Sequence, residues 1–332
     1  MNTSSLADAS GTSALKPKLG GRKTADIITR WSLPSLLVLI IAIATVSTPG
    51  FLSFDNIRGI LLNTSVIGIA AVGMTAVTMS GNLVSLGVTQ QGVLAAISFL
   101  GLLSFGANVW LAGGATLALL AAIGAMQGAV ISVGLNPMIT TLAVGAVIFG
   151  LATVVTGGDV VSAPGADYRW IALNSPLGLP LPIYIFVGFT IIAIFCIDKT
   201  VSGREVLLVG ANRATARLSG LSHSRATIAA FILFGVGTAL SGIVVAAQAG
   251  QATTLDLATM TSDVIAAVLV GGTAIQGGFG SPTRSALGAL TIAIFGNVMV
   301  LHDFEHGWRL ASVGALVVLM VSLLHVLRKK AI

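Results

Sequence analysis

Charge is what this sequence has least of. Only 8% of its 332 residues are Asp, Glu, Lys or Arg, while 55% are hydrophobic. Soluble domains carry about 25% charged residues. Surface-to-volume scaling leaves no globular core able to hide so much apolar surface, so a soluble protein is excluded and lipid is the solvent for most of the chain. A mean hydropathy of +0.99 agrees. There is one cysteine, Cys196, in an apolar run, which excludes an internal disulfide and leaves the redox compartment undetermined. No G-x-x-x-x-G-K-[ST] occurs, which excludes a P-loop. Aromatic residues are only 6%, and the basic residues behind the net charge of +6 are not interleaved with them or gathered on one module. The basic balance therefore points away from nucleic acid and toward membrane orientation.

What is present is apolar sequence in long runs. A membrane helix needs about 20 such residues. The first run, Trp31 to Thr48, follows a polar tail over residues 1–30 that is too long for a signal-peptide leader and precedes no clear cleavage site. Further runs lie at 59–80, 89–106, 109–133, 137–156, 182–198, 228–248, 262–276, 284–300 and 309–327. The expectation is an all-α membrane protein of about ten transmembrane helices. It comprises a tail 1–30, a transmembrane domain 31–327 with one long cytoplasmic loop at 199–227, and a tail 328–332.

Charge fixes the orientation independently of the count. Basic clusters sit in the first tail (Lys16, Lys18, Arg22, Lys23, Arg30), in 199–225 (Lys199, Arg204, Arg213, Arg217, Arg225) and at Arg328, Lys329 and Lys330. Starting inside, six spans and then ten return the chain to the inside at these clusters, which makes both termini cytoplasmic. The loop 157–181 falls outside, where Tyr168 and Trp170 suit a membrane–water interface. Dividing the chain after its fifth span gives two inverted five-helix halves, a transporter plan, although no sequence repeat relates them.

Three motifs and one group of residues carry chemistry. "VLVGGTAIQGGFGS", residues 268–281, contains Gly271, Gly272, Gly277, Gly278 and Gly280 but no phosphate-binding lysine. Two readings stand: close helix packing, or a broken helix between the eighth and ninth spans, tolerated where protein or a water-filled cavity surrounds it. In the long loop, Asn212 is an N-cap, Arg213 to Ser219 a short helix and Gly220 its stop. That loop is a solvated basic connection or the docking helix of a cytoplasmic partner. "HDFEH", His302 to His306, fits H-x-x-E-H, but it occupies a short loop with no downstream acid, so solvated loop residues are the better account. No motif calls for a cofactor or a metal. Polar residues inside spans (Asn63, Thr64, Ser65, Gln90, Gln91, Gln127, Thr140, Thr141, Gln248, Asp263, Asn297) either line a path for a polyhydroxyl solute or join helices. Asp263 is the only charge near the body of a span, which weighs against proton- or sodium-coupled transport.

Four stretches then carry a resemblance: 49–81, "NPMITTLAVGAVIFGL" (136–151), "GREVLLVGANRATARLSGL" (203–221) and "SDVIAAVLVGGTAIQGGFGS" (262–281). In order and spacing the chain resembles the ribose-type (monosaccharide) permease family of bacterial ABC importers, related to the branched-chain amino acid permeases. The resemblance covers about Pro49 to Leu327. It implies a non-catalytic inner-membrane subunit working with a second permease (homo- or heterodimer), two cytoplasmic ATP-binding subunits and a periplasmic solute-binding protein. It implies an ATPase-coupling loop containing Gly210, Asn212, Arg213, Ala214, Ala216, Ser219 and Gly220. Candidate pathway or helix-break residues are Asn63, Ser80, Asn82, Ser85, Gly87, Gln90, Asn136, Asp263, Gly271, Gly272, Gly277 and Gly278. One departure stands out. Where the family usually reads Gly-Gly-Ile-Asp-Leu-Ser-Val-Gly, this chain has "SGNLVSLG", with Leu83 in the aspartate's place and Ser80 for a glycine. The solute implied is a pentose or hexose. The rival class is a stand-alone secondary carrier or channel for a small polar solute.

Overall fold

The computed structural model describes the backbone of residues 19–330 and, for the most part, the side chains of 33–319. Residues 1–18 and 331–332 of the expected tails, with Lys16 and Lys18, lie outside the described residues, as do the side chains of Arg22, Lys23, Arg30, His306 and 328–330. The chain is all-α apart from one two-residue strand pair. Its helices are α1 (Leu19–Ser47), α2 (Phe54–Met79), α3 (Val88–Ser104), α4 (Val109–Ser132), α5 (Pro137–Thr156), α6 (Trp170–Leu173), α7 (Leu181–Lys199), α8 (Val201–Ala211), α9 (Arg213–Leu218), α10 (His223–Ala249), α11 (Met260–Val270), α12 (Pro282–Leu301) and α13 (His306–Lys330). β1 (Val161–Ser162) and β2 (Gln251–Ala252) pair antiparallel.

Every apolar run in the sequence falls on one helix. Six helices, α2, α4, α5, α7, α10 and α12, are long and apolar enough to cross a membrane. The other four runs fall on shorter apolar stretches, Leu33–Ser47, Val88–Ser104, Met260–Val270 and Gly307–Leu319. The helix before the first run reaches back to Leu19, into the segment expected as a tail. The largest revision concerns the run 262–276. Its helix, α11, ends at Val270, because Gly272 turns the chain at φ +76°. Eleven residues rise only about 16 Å, about half of a hydrocarbon core. The helix is preceded by non-helical backbone at 253–259. Likewise α3 is preceded by a non-helical segment at 81–87.

Two helices form the centre. α2 is buried from Thr64 to Met79, and α10 is buried along most of its length. Each is followed by a glycine with positive φ (Gly81, Gly250), a non-helical stretch and a shortened helix. Helices associate in lipid through close van der Waals contact, which small residues permit. α4 and α10 use this reciprocally. A Cβ on Gly124 would collide with the Phe231 carbonyl oxygen, and one on Gly235 with the Leu120 carbonyl oxygen. Gly235→Leu is therefore expected to destabilise the protein by about 1–3 kcal/mol or more, the usual range for overpacking, read as a lower thermal midpoint in detergent. Gly188→Leu on α7, where nothing lies within 4 Å, supplies the baseline. Buried polar groups are also joined across this centre: Gln91 Nε2 donates to Gln127 Oε1 at 2.9 Å, and Thr238 Oγ1 donates to Gln91 Oε1 at 3.1 Å. Gln91 and Gln127 thus tie α3 and α4 to α10.

The loops segregate to two ends. At one, Tyr168 Oη donates to the Gly250 carbonyl (3.0 Å), the Asn56 and Asn297 amides bond reciprocally (3.1 and 2.7 Å) and His302 Nε2 lies 3.0 Å from Thr48 Oγ1. The last contact places His302 against the turn after α1. At the other end, the segments after α2, around α8 and α9, and after α11 converge.

Candidate coupling platform and translocation pocket

The converging end is built on glycines. The Gly278 N–H donates to the Met79 carbonyl at 2.8 Å. Gly210, in the last turn of α8, packs on the same carbonyl so closely that any Cβ would collide with it. A Cβ on Gly277 would sit 2.5 Å from Gly81 Cα. The loop 271–281 is itself closed by bonds from Ala274 N to Phe279 O (2.9 Å) and Gly277 N to Ala274 O (3.0 Å). Both readings of the glycine run therefore hold together: the helix is broken at Gly271–Gly272, and the backbone beyond it packs closely.

α8 is a helix that the sequence pattern does not predict; the pattern predicts only Arg213 to Ser219. Its signal is present. Thr200 caps it, its hydroxyl accepting from Gly203 N at 3.1 Å, and Gly203, Val206 and Val209 form its buried face. α9 follows as expected. Asn212 Oδ1 accepts from Thr215 N at 3.1 Å, and Gly220 ends the turn at φ +77°. Of the coupling-loop residues, Gly210 and Ala216 face the protein; Ala216 is the one buried residue of α9. Ala214, Ser219 and Gly220 are exposed, and Leu218 is 90% exposed. Arg213 turns inward. Its Nη2 donates to the Gly81 carbonyl (2.8 Å) and to Asn82 Oδ1 (3.0 Å).

The segment 80–87 is buried without being helical. Ser80, Asn82 and Ser85 are fully buried, and such backbone is tolerated at depth only inside protein. Ser80 sits in helical conformation at the end of α2, so glycine is not needed there. Leu83 adopts φ +59°, a conformation that costs a side-chain-bearing residue about 1–2 kcal/mol. The break therefore persists without the expected aspartate. It is held by Asn82, whose Nδ2 donates to Ser80 Oγ (2.8 Å) and Thr227 Oγ1 (3.1 Å), and by Thr141 Oγ1, which accepts from Leu86 N (3.1 Å).

This segment leads to a cavity of about 420 Å³ between α3, α5 and the stretch 254–261. Its polar wall is Thr89, Gln90, Thr254, Asp256 and Thr261; Leu142 and Phe149 of α5 are on its apolar wall. Gln90 Oε1 is buried and accepts no hydrogen bond from the protein. Asp256 Oδ2 is engaged by Thr253 N at 2.7 Å. The cavity thus sets hydroxyls, an amide and a carboxylate beside an apolar face, the combination of few polar groups on apolar walls by which pockets orient ligands. Of the predicted pathway residues, Gln90 lies in this cavity. Asn63 and Asp263 line a second one of about 250 Å³, with Asn297 and Arg309. Asn136 lines neither; it caps α5, accepting from Met138 N at 2.9 Å.

Apolar spans around broken, buried backbone define a membrane permease. Residues 56–323 match the family model described as "Branched-chain amino acid transport system / permease component", and the chain belongs to that family, in its ribose-type monosaccharide ABC permease group. It is similar to the ribose import permease protein RbsC of Escherichia coli K12, at 34% identity over 80% of this chain and 84% of the relative. It is 31% identical to the L-arabinose transport system permease protein AraH of the same organism, over 80% of each. It is also 31% identical to the probable ABC transporter permease protein YphD, over 97% of this chain and 96% of that one. No solved structure matches. The chain is a sugar-type ABC permease, a multi-pass protein of the inner membrane.

Proposed function

We propose that the chain forms one half of the translocation path of a monosaccharide importer, with a second permease subunit as its partner. In this reading it does no covalent chemistry. Two ATP-binding subunits dock on the α8–α9 platform from the cytoplasm, and a periplasmic solute-binding protein delivers sugar at the opposite end. The chain has ten spans with both termini cytoplasmic, and the 420 Å³ cavity is part of the path. The observation that carries the reading is α9, a capped helix exposed at every residue except Ala216, on the end that holds Arg204, Arg213 and Arg217. A helix presented this way is shaped for a partner. Ribose is the first candidate solute and arabinose the second, from the names of the relatives.

Proteoliposomes containing the permease, its ATP-binding subunits and the binding protein test this. Uptake of radiolabelled D-ribose or L-arabinose should require ATP and all three components. Uptake driven by a proton or sodium gradient without the ATP-binding subunits would establish the secondary carrier instead. In the same assay Gln90→Leu, which keeps volume but removes the buried acceptor, should slow uptake about 10- to 100-fold, the discrimination expected when a polar site loses its hydrogen bond.

A further inference from the structure

One side chain joins the exposed helix α9 to the segment that leads to the 420 Å³ cavity. Arg213 is the first residue of α9. From this exposed position its guanidinium donates to Gly81 O at 2.8 Å and to Asn82 Oδ1 at 3.0 Å. Both acceptors lie at the start of the non-helical segment 81–87, which brings Leu86 and then Thr89 and Gln90 of α3 to the cavity wall. Asn82 is not a loose surface acceptor: it is fully buried, and its amide nitrogen is fixed by Ser80 and Thr227 of α10. The opposite cavity wall connects to the same point. Thr261 opens α11, and the loop after α11 returns to bond Met79 and to pack on Gly81.

We infer that Arg213 is the positioning residue of energy coupling: it latches α9 to the broken segment 81–87, so that movement of the docking helix reaches the cavity. A charge-assisted bond to a carbonyl and an amide is strong enough to carry this load and short enough to fix direction. α9 has few other attachments, since only Ala216 of that helix is buried. The latch differs from a docking contact, because its two hydrogen bonds are made within the permease. Without it, ATP-binding subunits would still bind and hydrolyse, but the cavity would not respond.

The inference rests on the proposed importer function, and its test separates the two. The reporter is Leu86→Cys in a Cys196→Ser background, within the assembled complex in proteoliposomes. Its labelling by a thiol reagent is measured with and without ATP plus vanadate. In the otherwise unmodified complex, nucleotide should change the labelling rate; if no ATP-binding subunit assembles or the rate never changes, the importer reading fails and takes the latch with it. In Arg213→Met the complex should co-purify and hydrolyse ATP, while the nucleotide-dependent change and sugar uptake per ATP fall about tenfold or more. Arg213→Lys, which retains charge but one point of contact, should fall between. Asn82→Leu should reproduce the uncoupling in part, and the double variant should be no worse than Arg213→Met alone. Should Arg213→Met fold poorly, Asn82→Leu carries the test. An unchanged nucleotide response in both variants overturns the latch. So does loss of co-purification in Arg213→Met with normal coupling in Asn82→Leu, which would make Arg213 a docking residue.

Discussion

Gly210→Ala is expected to abolish transport and destabilise the protein, although it adds one methyl group to a helix. In an exposed helix interior the same change stabilises by about 0.5–1 kcal/mol, because alanine loses less backbone entropy. Gly210 lies in α8 and has no positive φ, so conformation does not oppose the change. Space does. The new Cβ would overlap the Met79 carbonyl oxygen and come within 2.8 Å of Gly278 N. Both are backbone atoms, and they bond each other at 2.8 Å, so neither can swing aside as a side chain can. Relief requires α8 to back away, which breaks the Met79–Gly278 contact and moves Arg213 off Gly81. Overpacking of this kind costs about 1–3 kcal/mol, more than the helix gains. Gly188→Ala, in α7 with nothing within 4 Å, should be neutral or slightly stabilising. Thermal unfolding in detergent and ATP-driven uptake check the pair, and equal behaviour of the two variants would remove the close-packed junction from the account.

The second large effect is expected at the exposed side of α9. Leu218→Glu and Ala214→Arg should leave the permease folded, because both positions are exposed and neither makes a side-chain hydrogen bond in the structure. Surface substitutions of this sort usually change stability by no more than about 0.5 kcal/mol. In the complex, however, a charge placed opposite an apolar partner surface is buried unpaired. That costs several kcal/mol, and each 1.4 kcal/mol is about tenfold in affinity. Co-purification of the ATP-binding subunits should therefore fall about 100-fold or more, and uptake with it. The variants part company with Arg213→Met here: they lose assembly, whereas the latch variant keeps assembly and loses response. Normal assembly in both would show that α9 is not the docking helix.

Much of this was legible in residue order. The apolar runs gave the helices, since lipid demands that each spanning backbone satisfy its own hydrogen bonds. The Asn212 cap and Gly220 stop gave α9, because both are local chemistry. The glycine run was recognisable as special without its role being decidable. Packing and helix breaking use the same residue, and only the neighbours tell which one operates. α8 was missed because four consecutive apolar residues, Val206 to Val209, obscure the alternation that would mark a surface helix. The span ending at 276 was set too long for a related reason: hydropathy continues through Gly271 and Gly272, while the helix does not.

By itself, then, the order of residues determined a polytopic membrane protein, the placing of its basic clusters and its short capped helix α9, because each depends on hydropathy, charge or a cap within a few residues. The tertiary structure alone decided which polar groups meet. Gly81 and Arg213 are 132 residues apart, and Asn82 and Thr227 are 145 apart. Pairings over such distances are set by how α2 and α10 cross and by which glycines let backbones touch. Hydropathy is blind to this, since a glycine against a carbonyl and a glycine facing lipid look the same in a run of letters.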